Sequence, residues 1–268
     1  MREIKTLSLN RLKFLRKLQK RKYRIESGLY LCEGWRLFNA ARSGHADLIL
    51  EVVVTDDFLA SPLRDRFFSA IRPGKFEIFR TTEKNMLTLS SEISPQGILF
   101  TMPLPPPKDP GILPAAGAAA MLYLVEISDP GNLGTIIRTA VWFGIDHIML
   151  SDCSVDPFNP KTVRSSAGAI FDAVIYENVG FPDLCKALRA DGYQFVATTP
   201  RNGTDLSFWR PSAGSVIMFG PEAEGLPEPL ISQADVRVTI PQSGPAESLN
   251  LAVSAGIVLY HFTVSTKQ

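Results

Sequence analysis

The pattern of hydrophobic and polar positions divides the chain into two stretches of alternating strands and helices. In the first stretch, short apolar runs predict strands, and apolar residues at helical spacing predict the helices between them. The predicted strands are residues 29–32, 48–54, 76–79 and 97–102, and the predicted helices are residues 35–41, 58–71 and 82–89. This pattern is typical of a small α/β domain.

A proline-rich segment follows this first stretch. Residues 103–120 begin Pro-Leu-Pro-Pro-Pro-Lys-Asp-Pro-Gly and continue with alanine and glycine. Such a segment is unable to form a central strand or a long helix, and we expect an extended linker. The pattern therefore predicts a first domain at residues 1–102, a linker at 103–120 and a second domain at 121–268.

The second stretch alternates strands and helices again, which predicts an α/β fold with a mainly parallel sheet covered on both faces. Ligands on such sheets bind beyond the carboxyl ends of the strands. The predicted strands are residues 121–127, 147–150, 173–176, 194–198, 215–219 and 236–240, and the predicted helices are 133–143, 161–168, 182–190, a short one near 228 and 249–264.

The last predicted strand leads through a turn-rich loop into the final helix. Pro241, Gly244 and Pro245 favour a bent backbone, and either Ser248 or Asn250 could cap the helix. The loop could hold a ligand by its main chain, or it could be an ordinary connection. The helix has little polar surface, so we expect it to be buried.

Charge separates the start of the chain from the rest. The formal net charge is +1, but residues 1–24 contain ten Lys or Arg against one Glu, a local balance of +9. Leucines at 9, 12, 15 and 18 predict an anchored helix with a cationic outer face. That face is either simply solvated or binds a polyanion, and we favour nucleic acid. The predicted RNA-binding residues are Arg11, Lys13, Arg16, Lys17, Lys20, Arg21, Lys22 and Arg24.

Composition excludes several classes of protein. The sequence is 45% hydrophobic and 21% charged, with no uninterrupted apolar run long enough for a membrane span. It starts with charges instead of a secretory signal, so we expect a cytoplasmic protein. The three cysteines lack CxxC spacing and the three histidines neighbour no ligand cluster, so we predict neither disulfides nor a metal site.

Two further loops carry candidate chemistry. After the first strand of the second domain, Asn132 stands where a helix cap belongs, and Arg138 lies further along among apolar residues. A cation among apolar residues either forms a structural ion pair or binds an anionic ligand such as phosphate. After the strand at 215–219, Gly220 and Gly225 flank Glu222 and could admit a ligand close to the backbone, or form a plain surface turn.

These segments, in this order, resemble the SpoU branch of the SPOUT methyltransferases. The pattern NxGxxxR is matched by Asn132, Gly134 and Arg138, and GxExxG by Gly220, Glu222 and Gly225. The third motif is matched by Ile240-Pro with Ser248-Leu-Asn250, and residues 156–169 match a fourth stretch that the family often shows. The resemblance spans the second domain, while residues 1–105 look like the substrate-binding domain, similar to ribosomal protein L30e, that precedes it in many members.

The resemblance implies transfer of a methyl group from S-adenosylmethionine to a ribose 2′-hydroxyl of rRNA or tRNA, without a metal. It also implies a C-terminal deep trefoil knot and a homodimer with the active site near the subunit interface. The implied cofactor-binding residues are Thr198, Gly220, Ile240 and Leu249, and the implied catalytic residues are Arg138, Asn132, Glu222, Ser248 and Asn250.

In this family, the arginine matched by Arg138 is proposed as the base that takes the proton from the 2′-hydroxyl. A guanidinium has no acceptor, so phosphate binding and stabilisation of charge on the ribose oxygen suit it better. Ser248 and Asn250 would orient the nucleotide or Arg138. An rRNA substrate is preferred to tRNA. A non-catalytic RNA-binding or assembly protein and an antibiotic-resistance enzyme of the same chemistry are rival interpretations.

Overall fold

The chain folds into two compact units. The computed structural model describes residues 4–70, 76–108, 120–212, 214–222 and 224–266. The first unit comprises Met1–Pro106 and Phe158–Phe171, and the second comprises Pro107–Pro157 and Asp172–Gln268. Residues 158–171 therefore group with the first unit, although the pattern placed them in the second domain. Residues 109–119, most of the expected linker, lie outside the described part, and the linker bounds stay a prediction.

The first unit contains a five-stranded sheet with the order β1-β4-β3-β5-β2. Strands β1, β3 and β4 are parallel, and β5 is antiparallel to both β3 and β2. The elements from residue 5 to 103 are β1 Lys5–Thr6, α1 Leu9–Lys17, α2 Arg21–Ser27, β2 Leu29–Glu33, α3 Trp35–Gly44, β3 Glu51–Thr55, α4 Asp56–Ala60, α5 Leu63–Ala70, β4 Glu77–Thr81, α6 Glu83–Leu89 and β5 Ile98–Pro103.

Two predicted helices of this unit are each broken in two. The helix expected at 58–71 is interrupted between α4 and α5, where the hydroxyl of Ser61 accepts from the Leu63 amide and Pro62 follows an extended residue. The cationic segment forms α1 and α2 instead of one helix, with a turn after Lys17. Leu15 and Leu18 anchor it at 0% exposure, whereas Leu9 is 72% exposed, so its expected anchoring role is wrong.

The core of the first unit is rich in aromatic residues. The ring of Phe38 lies 5.2 Å from that of Phe67 and 5.6 Å from that of Phe100, and all three are fully buried. Tilted and edge-on aromatic rings at such distances add to the stabilisation that burial gives. These contacts pack α3 against α5 and against β5 of the sheet.

The second unit contains a seven-stranded sheet with the order β10-β12-β9-β11-β6-β7-β8, and all its pairs are parallel. The α/β class and the mainly parallel sheet are thus confirmed. The elements from residue 120 on are β6 Ala120–Leu124, α7 Pro130–Trp142, β7 His147–Leu150, α8 Pro160–Ser165, which groups with the first unit, β8 Val174–Tyr176, α9 Phe181–Ala190, β9 Gln194–Thr198, β10 Thr204–Asp205, β11 Ser215–Phe219, α10 Glu228–Ser232, β12 Val236–Thr239 and α11 Leu251–Ser265.

The final helix α11 is only half buried, which corrects the expectation of a buried helix. Leu251, Ala255, Leu259 and other residues of one face are buried. The opposite face is also apolar and exposed; it comprises Val253, Ile257, Tyr260 and Val264. Absence of a polar face therefore did not mean burial of the whole helix, because one of its apolar faces is exposed.

Across the described ranges, no helix is both long enough and apolar enough to cross a membrane. The implied trefoil knot stays a prediction.

Candidate active site

Three polar side chains from the three sequence motifs meet in the second unit. The amide nitrogen Nδ2 of Asn132 donates to Oε1 of Glu222 at 2.5 Å. Nδ2 of Asn250 in turn donates to Oδ1 of Asn132 at 3.0 Å. The residues are 90 and 118 positions apart from Asn132 in sequence, so only the fold brings them together. We call Asn132, Glu222 and Asn250 the polar cluster.

Asn132 is free to join the polar cluster because another residue caps its helix. Asp129 is the N-cap of α7; its carboxylate accepts from the Asn132 amide at 2.8 Å, and Pro130 occupies the first turn. The expectation that Asn132 is the cap is therefore wrong. A capping carboxylate and a proline at the first helical position are both favoured at a helix start.

Asn250 has two tasks at once. Its Oδ1 accepts from the amides of Ala252 at 2.9 Å and Val253 at 3.3 Å, which confirms it as the cap of α11. Its Nδ2 remains available for Asn132. The start of α11 is thereby tied to the start of α7. Ser248, the other candidate cap, lies two residues earlier in the exposed loop 241–250.

The loop after β11 closes tightly on itself. A Cβ atom added at Gly220 would lie 2.4 Å from the carbonyl carbon of Gly225 and from the amide nitrogen of Leu226. Gly225 has a φ of +69°, and its amide donates to the Pro221 carbonyl at 2.9 Å. Glycine is required at 220 by this close backbone approach and favoured at 225 by the left-handed conformation.

The implied cofactor residues lie at adjacent strand ends. Strands β12, β9 and β11 are neighbours, and Thr198 ends β9, while Gly220 and Ile240 directly follow β11 and β12. The hydroxyl of Thr198 donates to the Met218 carbonyl at 2.7 Å, which ties two of these ends together. Leu249, 47% exposed, lies in the following loop.

Arg138 lies on the solvent face of α7. Its neighbours Ile136, Ile137 and Ala140 point into the core, whereas Arg138 is exposed. The expected apolar surroundings of the guanidinium are therefore wrong. Among the described residues it has no hydrogen-bond or ion-pair partner, so structural pairing finds no support there.

The eight cations expected to bind RNA divide into two groups. Arg11 forms two hydrogen bonds to Glu51, of 2.8 and 2.5 Å, and stacks over Phe14 at 4.5 Å. Arg24 is 2% exposed and donates to the Leu18 carbonyl at 2.7 Å. These two hold the first unit together. The exposed ones are Lys13, Arg16, Lys17, Lys20, Arg21 and Lys22.

The fourth motif contributes no residue to the polar cluster. Asn159 caps α8, with its side chain accepting from Lys161 at 2.9 Å. Arg164 of α8 pairs with Glu92 at 2.6 Å and donates to the hydroxyl of Ser91. Both partners belong to the first unit. No group of three or more metal-ligating side chains occurs in the part of the chain that the structure describes.

A cleft in the first unit was missed by the sequence analysis. It has a volume of about 450 Å³ and is lined by Trp35, Asn39, Arg42, Arg66 and Ser69. Three of these recur at helical spacing along α3, a signal that could have indicated a shared face. Its other wall comes from α5, which sequence spacing alone did not connect to α3.

Two family models match the chain. The model described as the SpoU rRNA Methylase family matches residues 119–260, and that of an MRM3-like substrate binding domain matches residues 10–99. The first match contains the polar cluster, Arg138 and the strand ends. The second contains the cationic helices and the cleft.

Individual relatives span the whole chain. The 23S rRNA (guanosine(2553)-2′-O)-methyltransferase RlmP of Bacillus subtilis (strain 168) is 30% identical and covers 97% of this chain and 99% of its own. An AdoMet-bound rRNA methyltransferase structure from Sinorhizobium meliloti has a TM-score of 0.79 at 30% identity, covering 97% of each chain. A structure of an RNA 2′-O ribose methyltransferase has a TM-score of 0.83 at 26% identity and covers 98% of each.

Proposed function

The chain belongs to the SpoU rRNA methylase family, and from this premise we propose that it methylates a ribose 2′-hydroxyl of ribosomal RNA. The enzyme class and the cofactor are those of the family: the protein is an RNA 2′-O-ribose methyltransferase that uses S-adenosylmethionine. The choice of ribosomal over transfer RNA rests on the full-length likeness to an enzyme named for 23S rRNA. Action on that substrate would take place in the cytoplasm.

The residues at the strand ends fit S-adenosylmethionine. Thr198, Gly220, Ile240 and Leu249 carry no charge; the first three lie at or directly after the ends of neighbouring strands, and Leu249 lies in the loop that follows. Apolar side chains and backbone amides suffice to hold an adenosyl group. When bound, S-adenosylmethionine supplies an activated methyl group whose transfer needs no metal.

The polar cluster would position this site instead of reacting. Each of its amides has a protein partner, and Glu222 accepts from Asn132 at 2.5 Å. A carboxylate held in this way fixes the turn after β11 against the start of α7. The role we propose for Asn132, Glu222 and Asn250 is therefore to align the loops that hold cofactor and nucleotide. Ser248, exposed beside Asn250, would contact the nucleotide.

Arg138 is the residue that we propose for direct contact with RNA. Its guanidinium offers five donors in a planar fork that suits a phosphate, and the exposed position leaves it accessible. It would bind the phosphate next to the target ribose and stabilise negative charge on the ribose oxygen. Since guanidinium has no acceptor, the proton would pass to phosphate or water.

We also propose a homodimer through an apolar face made by Trp142 of α7 with Val253, Ile257, Tyr260 and Val264 of α11. Trp142 is 83% exposed and Tyr260 59% exposed. The two helices pack together, with the Phe143 ring 6.2 Å from that of Tyr260. Large apolar residues exposed on adjoining helices are typical of an interface. Tyr260→Glu should yield monomers by sedimentation, while Ile25→Glu, at an exposed apolar residue of the first unit, should leave dimers. A Tyr260→Glu dimer would contradict this interface.

The observation that carries the proposal is the meeting of Asn132, Glu222 and Asn250 beside the strand ends. It is tested by transfer of labelled methyl from S-adenosylmethionine to protein-free rRNA and tRNA. Label on rRNA is expected. Label on tRNA alone would show that the substrate is tRNA. Cofactor binding without transfer to either RNA would point to a preassembled ribosomal particle, and absence of cofactor binding would favour a non-catalytic assembly protein.

A further inference from the structure

The cleft between α3 and α5 is open to solvent and is lined mainly by polar side chains. Trp35, Asn39 and Arg42 line it from α3, and Arg66 and Ser69 line it from α5. Its volume of about 450 Å³ is that of a small-ligand site. All five lining residues belong to the first unit, within the range matched by the substrate-binding model.

Trp35 presents a fixed aromatic surface in this cleft. Its ring lies 5.8 Å from Phe38 and 6.3 Å from Phe58, both of them buried, so one side of the indole is held by the core. Its backbone amide donates to the Gln96 side chain at 2.9 Å. An indole packed on one side against buried rings and partly exposed on the other is suited to stacking with a planar ligand.

Among the residues that the structure describes, neither guanidinium of the cleft forms an ion pair with a carboxylate. Nε of Arg42 donates to Oδ1 of Asn39 at 3.0 Å, which orients the guanidinium and leaves its terminal nitrogens available. Arg66 forms no ion pair with any residue in the described ranges. The adjacent acid, Asp65, pairs with Arg64 at 3.2 Å. Two such guanidiniums in one cleft favour an anion.

We propose that this cleft binds one nucleotide of the single-stranded substrate RNA, with its base stacked on Trp35 and its phosphate held by Arg42 and Arg66. The inference rests on the proposed function, because it names where that substrate is held outside the catalytic unit. An aromatic platform beside a cationic pair matches the two parts of a nucleotide. Asn39, whose Oδ1 is occupied by Arg42, retains an Nδ2 donor for the base edge.

The test compares two double variants with equal change of charge on the same two helices. Arg42→Ala with Arg66→Ala removes the lining cations. Arg36→Ala with Arg64→Ala removes two cations that do not line the cleft. The affinity of the full chain for fluorescein-labelled oligouridylate and for protein-free rRNA is measured against salt concentration. Thermal midpoints confirm that each variant is folded.

The lining variant should bind both RNAs at least tenfold more weakly, and its log–log salt slope should be less steep by about 0.7, the contribution of the one single-stranded phosphate that the two arginines hold. The control variant should keep most of the affinity. Trp35→Leu should weaken binding about tenfold, as loss of one stacked base does, and Trp35→Phe should restore most of it. Equal losses of RNA affinity in both double variants, or wild-type affinity in the lining variant, would contradict the proposal that the cleft binds RNA.

A free nucleotide is the rival occupant. If UMP alone binds the wild-type chain tightly and competes with the RNA only through Arg42 and Arg66, the cleft is a small-molecule site and the inference is overturned. Weak UMP binding, with tight RNA binding that needs the cleft, supports it. These binding measurements do not depend on methyl transfer. If the wild-type protein showed no methyl transfer, the proposed function would be contradicted, but the binding measurements would still show whether the cleft binds RNA.

Discussion

Two polar side chains of helix α7 differ in whether other residues of the protein engage them. Asn132, in the first turn, has both ends of its amide engaged, by Glu222 at 2.5 Å and by Asn250 at 3.0 Å. Arg138, further along, is exposed and has no ion-pair or hydrogen-bond partner among the described residues. The first is fixed by the protein, and the second is available to a ligand.

This contrast separates positioning from contact. An amide with protein partners at both ends is preorganised, and its loss should disturb the loops around it. An exposed guanidinium costs little to remove from the folded chain, so any large effect of its loss must come from the ligand it meets. Variants at the two positions should therefore affect different quantities.

The largest effect is expected at Arg138. Arg138→Ala should lower kcat by about 100- to 1,000-fold, as loss of one charge-stabilising donor does, with the thermal midpoint unchanged. Arg138→Lys should recover only part of this, since an ammonium lacks the planar fork. Single-turnover methyl transfer measures both. Full activity of Arg138→Lys would exclude a special guanidinium role.

Gly220→Ala should have the next largest effect. The added Cβ would lie 2.4 Å from the Gly225 backbone, so the turn that carries Glu222 must move. A displacement of about 1 Å is enough to lower methyl transfer about 100-fold, and calorimetry should show weaker cofactor binding. Gly44→Ala, at the end of α3 in the first unit, is the matched control, because nothing lies within 4 Å of its Cβ. Equal behaviour of the two variants would contradict the role of the tight turn.

Breaking the polar cluster should have a moderate effect on methyl transfer. It should weaken the binding of cofactor and RNA as well as lower turnover. Asn132→Ala and Asn250→Ala are each expected to lower methyl transfer about tenfold and to destabilise the fold by about 1 kcal/mol. Because they share one hydrogen bond, the double variant should cost less than the sum of the two. Strict additivity of the two losses in a double-mutant cycle would show that the cluster does not act as a unit.

The cationic helices offer the same contrast in the first unit. Arg16→Ala with Lys20→Ala, both exposed, should flatten the salt dependence of RNA binding without lowering the thermal midpoint. Arg24→Ala should instead destabilise the unit, because its buried guanidinium holds the Leu18 carbonyl. A salt slope equal to that of the wild type would show that Arg16 and Lys20 do not contact RNA phosphates.

The smallest effect is expected at Tyr123, a buried residue to which we assign no contact with RNA. Burial raises the pKa of the Tyr123 phenol to about 12, and its hydroxyl donates to the Val179 carbonyl at 3.0 Å. A pKa raised on folding means that this contribution to stability is complete below about pH 10 and is lost as the pH rises toward 12. Tyr123→Phe should cost about 1 kcal/mol at neutral pH and remove that part of the alkaline loss. Unchanged alkaline unfolding in the variant would contradict the assignment.

The sequence pattern predicted the alternating elements, because apolar periodicity and turn residues act locally, whereas Asn132, Glu222 and Asn250 were grouped by the family resemblance. The cap at Asp129 was missed because two capping residues, Asp129 and Asn132, compete within one turn, and only the contact with Glu222 decides between them. The exposure of Arg138 depends on which side of α7 faces the sheet. The cleft requires Arg42 and Arg66, from separate helices, to meet. Such long-range contacts have no local signature.

The most direct test of the central claim is the chemical position of the transferred methyl group. Labelled rRNA from wild-type protein and from Arg138→Ala is hydrolysed in alkali, and the resistant linkage that a 2′-O-methyl group leaves is mapped. We predict one resistant nucleotide in rRNA that carries the label and is lost in the variant. Label released on an alkali-sensitive nucleotide would place the methyl group on a base and would contradict the ribose assignment.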